Sequence, residues 1–451
     1  MKNLDLLLVN PTLDFAEDEK YYEGIKLEKD IPRQQPPHIG IGYLMGAAKK
    51  AGIAAKHIDM VQEGVSPERL LNYIGETKPY MVGFTTWTTR INAAGYLAEQ
   101  IKDKYSDTLV CAGGSHATAI PKETLEEFPG FDFVVRSEAD LTIPKIIETG
   151  RYDNIKGVVT RDKDDISFDR IKDLDNLAYP AWESFDFTKF PGMDPHQTGL
   201  ELPISSSRGC FGGCVFCATA FGRTRIGRSI ENVIGEMERN IVDYGCEALV
   251  FQDDTFVDDT DHTEELMRTM IDKGLNKKLK WSCETRVDNT YPELFHLMKE
   301  AGCYYVYIGM ESADDKMLKK CGKQITVQQI KDTAGWIKDA GLVPAGSFIL
   351  GLPGETRETA EKSIQLAKEL DFYSTPFPIA VPFPGTPLRK MVDRGMFGLK
   401  LLPGADNWDN YGKQFPGVME SEELSIQDLR DLQKRAYEVN PKKKLADFLS
   451  S

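Results

Sequence analysis

Three cysteines stand close together in the stretch Arg208-Gly209-Cys210-Phe211-Gly212-Gly213-Cys214-Val215-Phe216-Cys217, with the spacing C-x3-C-x2-C. Deprotonated thiols are soft ligands that select soft metal centres, and three on one short loop can hold one such centre together. A structural zinc ion closes a tetrahedron with four protein ligands, so zinc here needs a distant fourth thiol such as Cys246. A four-iron cluster held by three cysteines keeps one iron without a protein ligand, and that iron can bind a small chelating molecule. The spacing admits both centres, and the surrounding elements have to separate them.

Further polar groups stand at the ends of apolar runs. After the cysteine loop the chain alternates strand and helix patterns. Strands are expected at 202–207, 248–254, 279–286, 305–312, 345–350 and 375–381, with helices at 230–244, 263–273, 293–301, 327–340 and 358–370. Six strands in this cadence predict a partial TIM-like barrel, whose chemistry lies at the carboxyl ends of its strands. Gln252 and Asp253, Glu284 with Arg286, Glu311, and Pro382 to Pro387 all fall there. Gln252 and Asp253 can accept hydrogen bonds from an ammonium group. Arg286 has the planar fork that suits a carboxylate. Plain structural roles stay open for each: Asp253 and Asp254 as helix caps, Glu311 as the partner of a lysine.

Ahead of this region, residues 1–150 alternate in the same way, with strands at 6–9, 54–60, 80–86, 109–114 and 131–135. The pattern predicts a doubly wound, Rossmann-like parallel sheet, which binds ligands at the carboxyl ends of its strands. Small and polar residues gather at those ends: Pro37, His38, Gly40 and Gly42; Thr85 and Thr86; Gly113, Gly114, Ser115 and His116; Ser137 and Glu138. Glycines let backbone approach a flat ligand closely. No G-x-G-x-x-G follows the first strand, which weakens a dinucleotide reading. Residues 151–200 read as a connector with a small hairpin, Ile155–Thr160 against Ile166–Phe168. Residues 396–451 form an extension with a helix over 426–439 that can close the open side of a partial barrel. Trp408 and Tyr411 in it are candidates to line a pocket, although ordinary packing explains them as well.

The chain has 451 residues, 41% hydrophobic, with a formal net charge of −15. That charge argues against a nucleic-acid backbone as a partner. No apolar run approaches the roughly 18 residues of a membrane helix. The N-terminus enters a strand directly, without the pattern of a signal peptide, so the protein reads as cytoplasmic. Five of the eight cysteines are scattered singly, which argues against a disulfide framework.

The cysteine loop and the ordered groups after it resemble the radical S-adenosylmethionine (radical SAM) superfamily. The N-terminal set is similar to the cobalamin-binding domain that precedes the radical domain in many members. The resemblance spans nearly all of the chain. It implies a cobalamin domain at 1–150, a connector at 151–200, a radical SAM domain at 201–395 and a C-terminal extension at 396–451. Cys210, Cys214 and Cys217 are implied as ligands of a 4Fe-4S cluster whose open iron chelates the methionine amine and carboxylate. An electron from the cluster then cleaves S-adenosylmethionine to a 5'-deoxyadenosyl radical. Phe216 is implied to pack on adenine, Gln252 and Asp253 to meet the methionine ammonium, Arg286 its carboxylate, and Glu284 or Glu311 the ribose. The Asp-x-His-x-x-Gly loop of standard cobalamin domains is missing after the first strand; its one literal match, Asp194 to Gly199, lies in the connector. His38 holds a comparable place with different glycine spacing. Cobalamin is therefore expected with its base detached and no assured protein ligand to cobalt, and His116 as a hydrogen-bond partner of cobalamin or of its own loop.

The activity implied is methyl transfer to an unactivated carbon or a phosphinate, with methylcobalamin as the donor to a substrate radical. Cyclisation or rearrangement without methyl transfer is the alternative, and a non-catalytic cobalamin or iron–sulfur sensor a further one. A methylthiotransferase would need a second cysteine triplet in the N-terminal region, which has only Cys111. The implied partners are a small-molecule substrate and an electron donor such as flavodoxin or ferredoxin.

Overall fold

Leu6–Asn10 form β1 in the computed structural model, which describes residues 4–12, 36–136, 138–163, 170–190, 199–412 and 417–441. The chain divides into two compact units, residues 1–201 and 202–451. In the first unit β1 is followed by β2 (Ala55–Asp59), β3 (Met81–Thr85), β4 (Leu109–Gly113), β5 (Phe133–Val135) and β6 (Val158–Val159), in the spatial order β2-β1-β3-β4-β5-β6. The first five run parallel. Leu6, Leu7 and Val9 are wholly buried, as expected for a parallel strand covered on both faces. The chain leaves β2 on one side of β1 and resumes at β3 on the other, which makes the β1/β3 edge a topological switch point.

Two expectations change here. The first arm of the expected hairpin is instead β6, an antiparallel sixth strand on β5; its expected second arm, 166–168, lies outside the described residues. A helix at Thr142–Thr149 had no counterpart in the sequence reading. It spans two turns, and Pro144 near its start masks the helical pattern.

In the second unit, β7 (Leu200–Ile204) precedes the short hairpin β8 (Ser207–Arg208) and β9 (Ile226–Gly227). β10 (Cys246–Phe251), β11 (Lys280–Thr285), β12 (Cys303–Glu311) and β13 (Val343–Phe348) complete a sheet ordered β13-β12-β11-β10-β7. The expected strand over 202–207 breaks at Ser205-Ser206. Helix ends follow local chemistry: Ser229 caps Ile230–Tyr244, and Gly245 ends it in the left-handed conformation, which glycine adopts without strain.

The expected sixth strand over 375–381 is reduced to isolated bridges, Ala345 with Ser374 and Leu350 with Ile379. The segment still runs along β13: the N–H groups of Gly346, Phe348 and Leu350 donate to the carbonyls of Ser374, Pro376 and Pro378. Proline has no N–H for a ladder, so Pro376 and Pro378 confine the segment to the sheet's edge. Helix Ile426–Val439 lies over that edge. The Tyr437 hydroxyl accepts from the Phe377 N–H at 3.3 Å, and Gln433 Nε2 donates to the Phe377 carbonyl at 2.7 Å. Among the described residues no helix is long and apolar enough to cross a membrane.

Candidate functional site

The cysteine loop leaves β8 at the carboxyl end of the second sheet, and the aspartates ending β10 fix its entrance. Asp253 is buried. Its carboxylate accepts from the Ser206 N–H at 3.0 Å and from the Ser206 and Ser207 hydroxyls at 2.7 Å each. Burial raises its pKa while these bonds oppose the rise. Asp254 Oδ2 accepts from the Gly209 N–H at 2.7 Å. Further along, the Val215 N–H donates to the Cys321 carbonyl and the Val215 carbonyl accepts from the Leu388 N–H, both at 2.8 Å. Gly322, at φ +74°, lies so close to the Gly213 carbonyl that a Cβ would overlap it.

Polar groups face the sulfurs. The Gly212 N–H points to Cys210 Sγ at 3.3 Å, the Thr255 hydroxyl lies 3.6 Å from the same sulfur, and Arg286 Nη1 reaches Cys214 Sγ at 3.7 Å. N–H groups and a guanidinium are the outer partners that ligating sulfurs take, while burial, with Cys214, Asp254 and Cys210 beside it, pushes the Cys217 thiol up to about 11. Among the described residues no fourth thiol joins them. Cys246 opens β10 and its Sγ donates to the Ala248 carbonyl at 3.0 Å, while the loop is anchored beyond the other end of that strand, about 20 Å away. Cys321 gives the loop its carbonyl but turns its thiol to the Leu318 carbonyl at 3.4 Å, in an apolar cluster with Val215, Met317 and Leu352. Burial pushes that thiol up to about 12. Among the described residues no three His, Cys, Asp or Glu side chains are gathered as a metal-ion site; the loop's soft thiols suit a cluster by their chemistry and spacing, and Cys246 is too distant to close a zinc knuckle.

The remaining groups separate by what they touch. Arg286 is gripped: Nε and Nη2 bond Asp288 at 2.9 and 2.7 Å, Nη2 also donates to the Lys323 carbonyl at 2.6 Å, and the Phe211 ring lies 5.3 Å away. Glu311 is buried at φ +63° and pairs with Lys323 at 2.9 Å, the lysine partnership left open by the sequence. Burial opposes the charge on Lys323, but Glu311 and Cys214 outweigh it and raise its pKa. Phe216 is half-buried and packs between the Cys321 cluster and a second one of Ala380, Leu388, Val392, Leu399 and Met419. Gln252 and Glu284, ending β10 and β11, are exposed. Sequence reasoning missed Thr255, Asp288 and Lys323. The i, i+2 spacing of Arg286 and Asp288 was the available signal. Tyr411 is fully buried, with its hydroxyl between Arg389 Nη1 and the Ala405 carbonyl, so it packs the extension.

In the first unit the switch point carries Asn10, Trp87 and Arg90. Asn10 bonds Asp59 Oδ2 at 2.7 Å and accepts from Arg90 Nη1 at 2.8 Å. Arg90 lies 5.5 Å from the Trp87 ring, and His38 lies 5.8 Å from it on another side. Trp87 is 42% exposed, a flat apolar platform beside a cation at the edge where such sheets bind ligands. That suits a large flat ring fringed with amides, as cobalamin has. These three were not singled out from sequence, although a tryptophan directly after Thr85-Thr86 was a readable sign.

His38 Nδ1 accepts from the Ile41 N–H at 3.3 Å and caps the first helix, Ile39–Lys50; burial lowers its pKa. Thr85 ends β3. Thr86 is absorbed by the fold, its N–H and hydroxyl both donating to the Gly113 carbonyl at 2.7 and 2.8 Å. Gly114, at φ +98°, packs on the Thr86 backbone, and a Cβ would lie 2.8 Å from it. Ser115 opens the short helix Ser115–Ala119. Buried His116 lies 3.3 Å from the Thr88 hydroxyl and is held down to about 4 by burial. Glu138 is turned to the connector, accepting from the Ile171 N–H at 2.6 Å and Arg170 Nε at 3.3 Å. Pro37 is buried, and a Cβ on Gly40 would lie 3.1 Å from His38. Gly42 faces Trp182 of the connector, where a Cβ would lie 2.7 Å from the indole. Ser137 and 194–198 lie outside the described residues.

The sequence of the radical SAM superfamily matches residues 204–367, and that of the B12 binding domain residues 32–147. A protein of Pyrococcus horikoshii named as an uncharacterized methyltransferase is 30% identical over 447 residues, covering 97% of this chain and 92% of the relative. The chain belongs to the cobalamin-dependent radical SAM enzymes. Cytidylyl-2-hydroxyethylphosphonate methyltransferase of Streptomyces wedmorensis is 26% identical, covering 81% of this enzyme and 79% of the relative. The anaerobic magnesium-protoporphyrin IX monomethyl ester cyclase of Cereibacter sphaeroides is 28% identical, covering 78% of this enzyme and 60% of the cyclase. The fold is that of the radical SAM methyltransferase TsrM from Kitasatospora setae, solved with tryptophan substrate and an S-adenosylmethionine analogue. The TM-score is 0.70 at 18% identity, over 95% of this chain and 88% of TsrM. In this radical SAM enzyme the matched stretches contain the cysteine loop and, from the switch point, Trp87 and Arg90, while β1 with Asn10 precedes them.

Proposed function

We propose that this enzyme moves a methyl group from S-adenosylmethionine, by way of cobalamin, to an unactivated carbon or a phosphinate of a small molecule. The observation that carries the reading is a three-cysteine loop with no fourth thiol among the described residues, at the strand ends of one sheet, in a chain that matches a B12 binding domain over 32–147. Relatives named as methyltransferases align over most of their own length, which favours methyl transfer over ring closure. Bound, the cluster and cobalamin supply one-electron cleavage of a carbon–sulfur bond and a transferable methyl group.

The chain's own residues hold and orient. Cys210, Cys214 and Cys217 ligate the cluster, and the Gly212 N–H and Arg286 stabilise charge on its sulfurs. Gln252 and Glu284 offer acceptors to the amine and ribose of S-adenosylmethionine. Asp253 acts one step back, fixing the turn into the loop. Trp87, Arg90 and Asn10 present a face and polar edge to the corrin ring. We assign residues 1–150 to cobalamin, 151–200 to the connector, 201–395 to the radical chemistry and 396–451 to the extension. No disulfide joins the cysteines among the described residues, in keeping with a reducing compartment such as the cytoplasm.

Anaerobic reconstitution followed by reductant and methyl-labelled S-adenosylmethionine tests this. About four irons per chain are expected, with labelled product accompanied by 5'-deoxyadenosine and S-adenosylhomocysteine. Replacing Cys210, Cys214 and Cys217 by Ala should abolish iron and both coproducts. 5'-Deoxyadenosine without S-adenosylhomocysteine would move the enzyme to the cyclase reading, and no 5'-deoxyadenosine at all would sink the radical one.

A further inference from the structure

β12 presents two unlike faces. Val306, Ile308 and Met310 are wholly buried. Gly346 of β13 packs on that side, where a Cβ would lie 3.0 and 3.1 Å from the side chains of Ile308 and Met310. Tyr305, Tyr307 and Gly309 alternate with them and are only partly covered, because successive side chains of a strand point to opposite faces. Register carries this second face across the sheet: Glu284 of β11 pairs with Tyr307, and Ser347 of β13 with Gly309. Glu284 is exposed and Ser347 partly so, each between buried neighbours. Helices cover the outside of such a barrel, so the less covered face is its interior.

That interior has a floor and a roof. One layer below Tyr307, the Tyr305 ring packs on Val343 and Tyr373. One layer above, the Glu311–Lys323 pair lies over Gly309, where a Cβ would come 2.5 Å from Glu311 Oε1 and 2.6 Å from Lys323 Nζ. Cys214 is near enough to that pair to raise the Lys323 pKa. Tyr307 therefore stands between an apolar floor and the ion pair that adjoins the cysteine loop. The Ser347 hydroxyl hydrogen-bonds its phenol oxygen. Burial raises the Tyr307 pKa, and the carboxylates of Glu284 and Glu311 raise it further. The phenol keeps its proton and is a fixed donor aimed into the barrel.

We propose that Tyr307, steadied by Ser347, seats the methyl-accepting substrate by donating to an uncharged oxygen, a hydroxyl or carbonyl, beside the carbon to be methylated, and that the seat rejects anions. The proposal rests on the methyl-transfer reading above and narrows it: the acceptor is a neutral or cationic molecule methylated at carbon, and a phosphinate is excluded. A protonated phenol needs only a lone pair to donate to. An anion on the same spot would meet the carboxylate of Glu284, and like charges repel more strongly where water is partly shut out. A hydroxyl or an amide carbonyl carries no such cost. Tyr307 is a positioning residue in this scheme; it exchanges no proton or electron.

The test replaces Tyr307 by 3-fluorotyrosine in the full-length holoenzyme and follows its fluorine resonance. Acetamide, acetate and methylphosphinate are the probes. Acetamide should shift the resonance saturably, and the two anions should bind at least about tenfold more weakly. Ser347→Ala should raise the acetamide Kd by about threefold. Glu284→Gln should shrink the gap between acetamide and acetate, which a merely structural role for Glu284 would not do. Iron content and melting temperature on the same samples show that each variant folds, and the comparison of probes in the otherwise unaltered enzyme stands without them. No saturable shift with acetamide, or equal binding of acetate or methylphosphinate, overturns the proposal. The fluorine signal needs no turnover, so failure of the labelled-methyl assay condemns the methyl-transfer reading separately.

Discussion

Arg286 shows how much one side chain can organise. Its fork is shared among Asp288, the Lys323 carbonyl and the Cys214 sulfur. Lysine keeps the charge but cannot make three directed bonds at once. Arg286→Lys should lower the iron retained after reconstitution by about twofold or more, read by iron content, with the melting temperature little changed. The cysteine spacing was plain in the sequence, but the grip of Arg286 was not. One of its partners, the Cys214 sulfur, is 72 positions away, and another is a backbone carbonyl, which carries no sequence signal. Gly42 gives the same lesson in reverse. It reads as a place for a flat ligand, yet it makes room for Trp182. Gly42→Ala should cost about 1–3 kcal/mol through overpacking, seen as a lower unfolding midpoint with iron content intact.

At the scale of elements, the turn after β13 holds a titrating group that no sequence pattern reveals. Glu355 is buried and accepts from the Gly351 N–H, and burial lifts its carboxyl to about 8 against backbone bonds that pull it down. The folded state therefore keeps a proton that the unfolded chain releases near 4.5. Stability from this group is complete below pH 4.5 and is lost as pH rises toward 8, at no more than about 1.4 kcal/mol per unit. Glu355→Gln should flatten that decline in chemical denaturation measured between pH 5 and 8. Strands and helices were otherwise legible wherever an apolar run or a cap was strong, as for Ile230–Tyr244, whose bounds match the expectation. The reading failed where proline decided: Pro376 and Pro378 turned an expected strand into an edge, and Pro144 hid a helix.

Across the whole molecule, the groups proposed for the two cofactors lie on different sheets in different compact units. Loading should therefore be separable. Trp87→Ala should lower bound corrinoid by about tenfold, while iron content and reductant-driven cleavage of S-adenosylmethionine persist. Optical spectra and iron analysis on the same sample check both. Two alternating regions could be read from the sequence. The reversal at β1, which places Trp87 at a switch point, could not, because strand order is set by tertiary pairing and leaves no local mark.

The segment along β13 bears on how the protein behaves at high concentration. An incomplete barrel ordinarily presents a template on which a second molecule can polymerise through its backbone. Here Pro376 and Pro378 face β13, and the outward donor and acceptor of Phe377 are already taken by Tyr437 and Gln433. A chain shortened before Ile426 would therefore be expected to form thioflavin-positive fibrils, while the intact one stays dispersed.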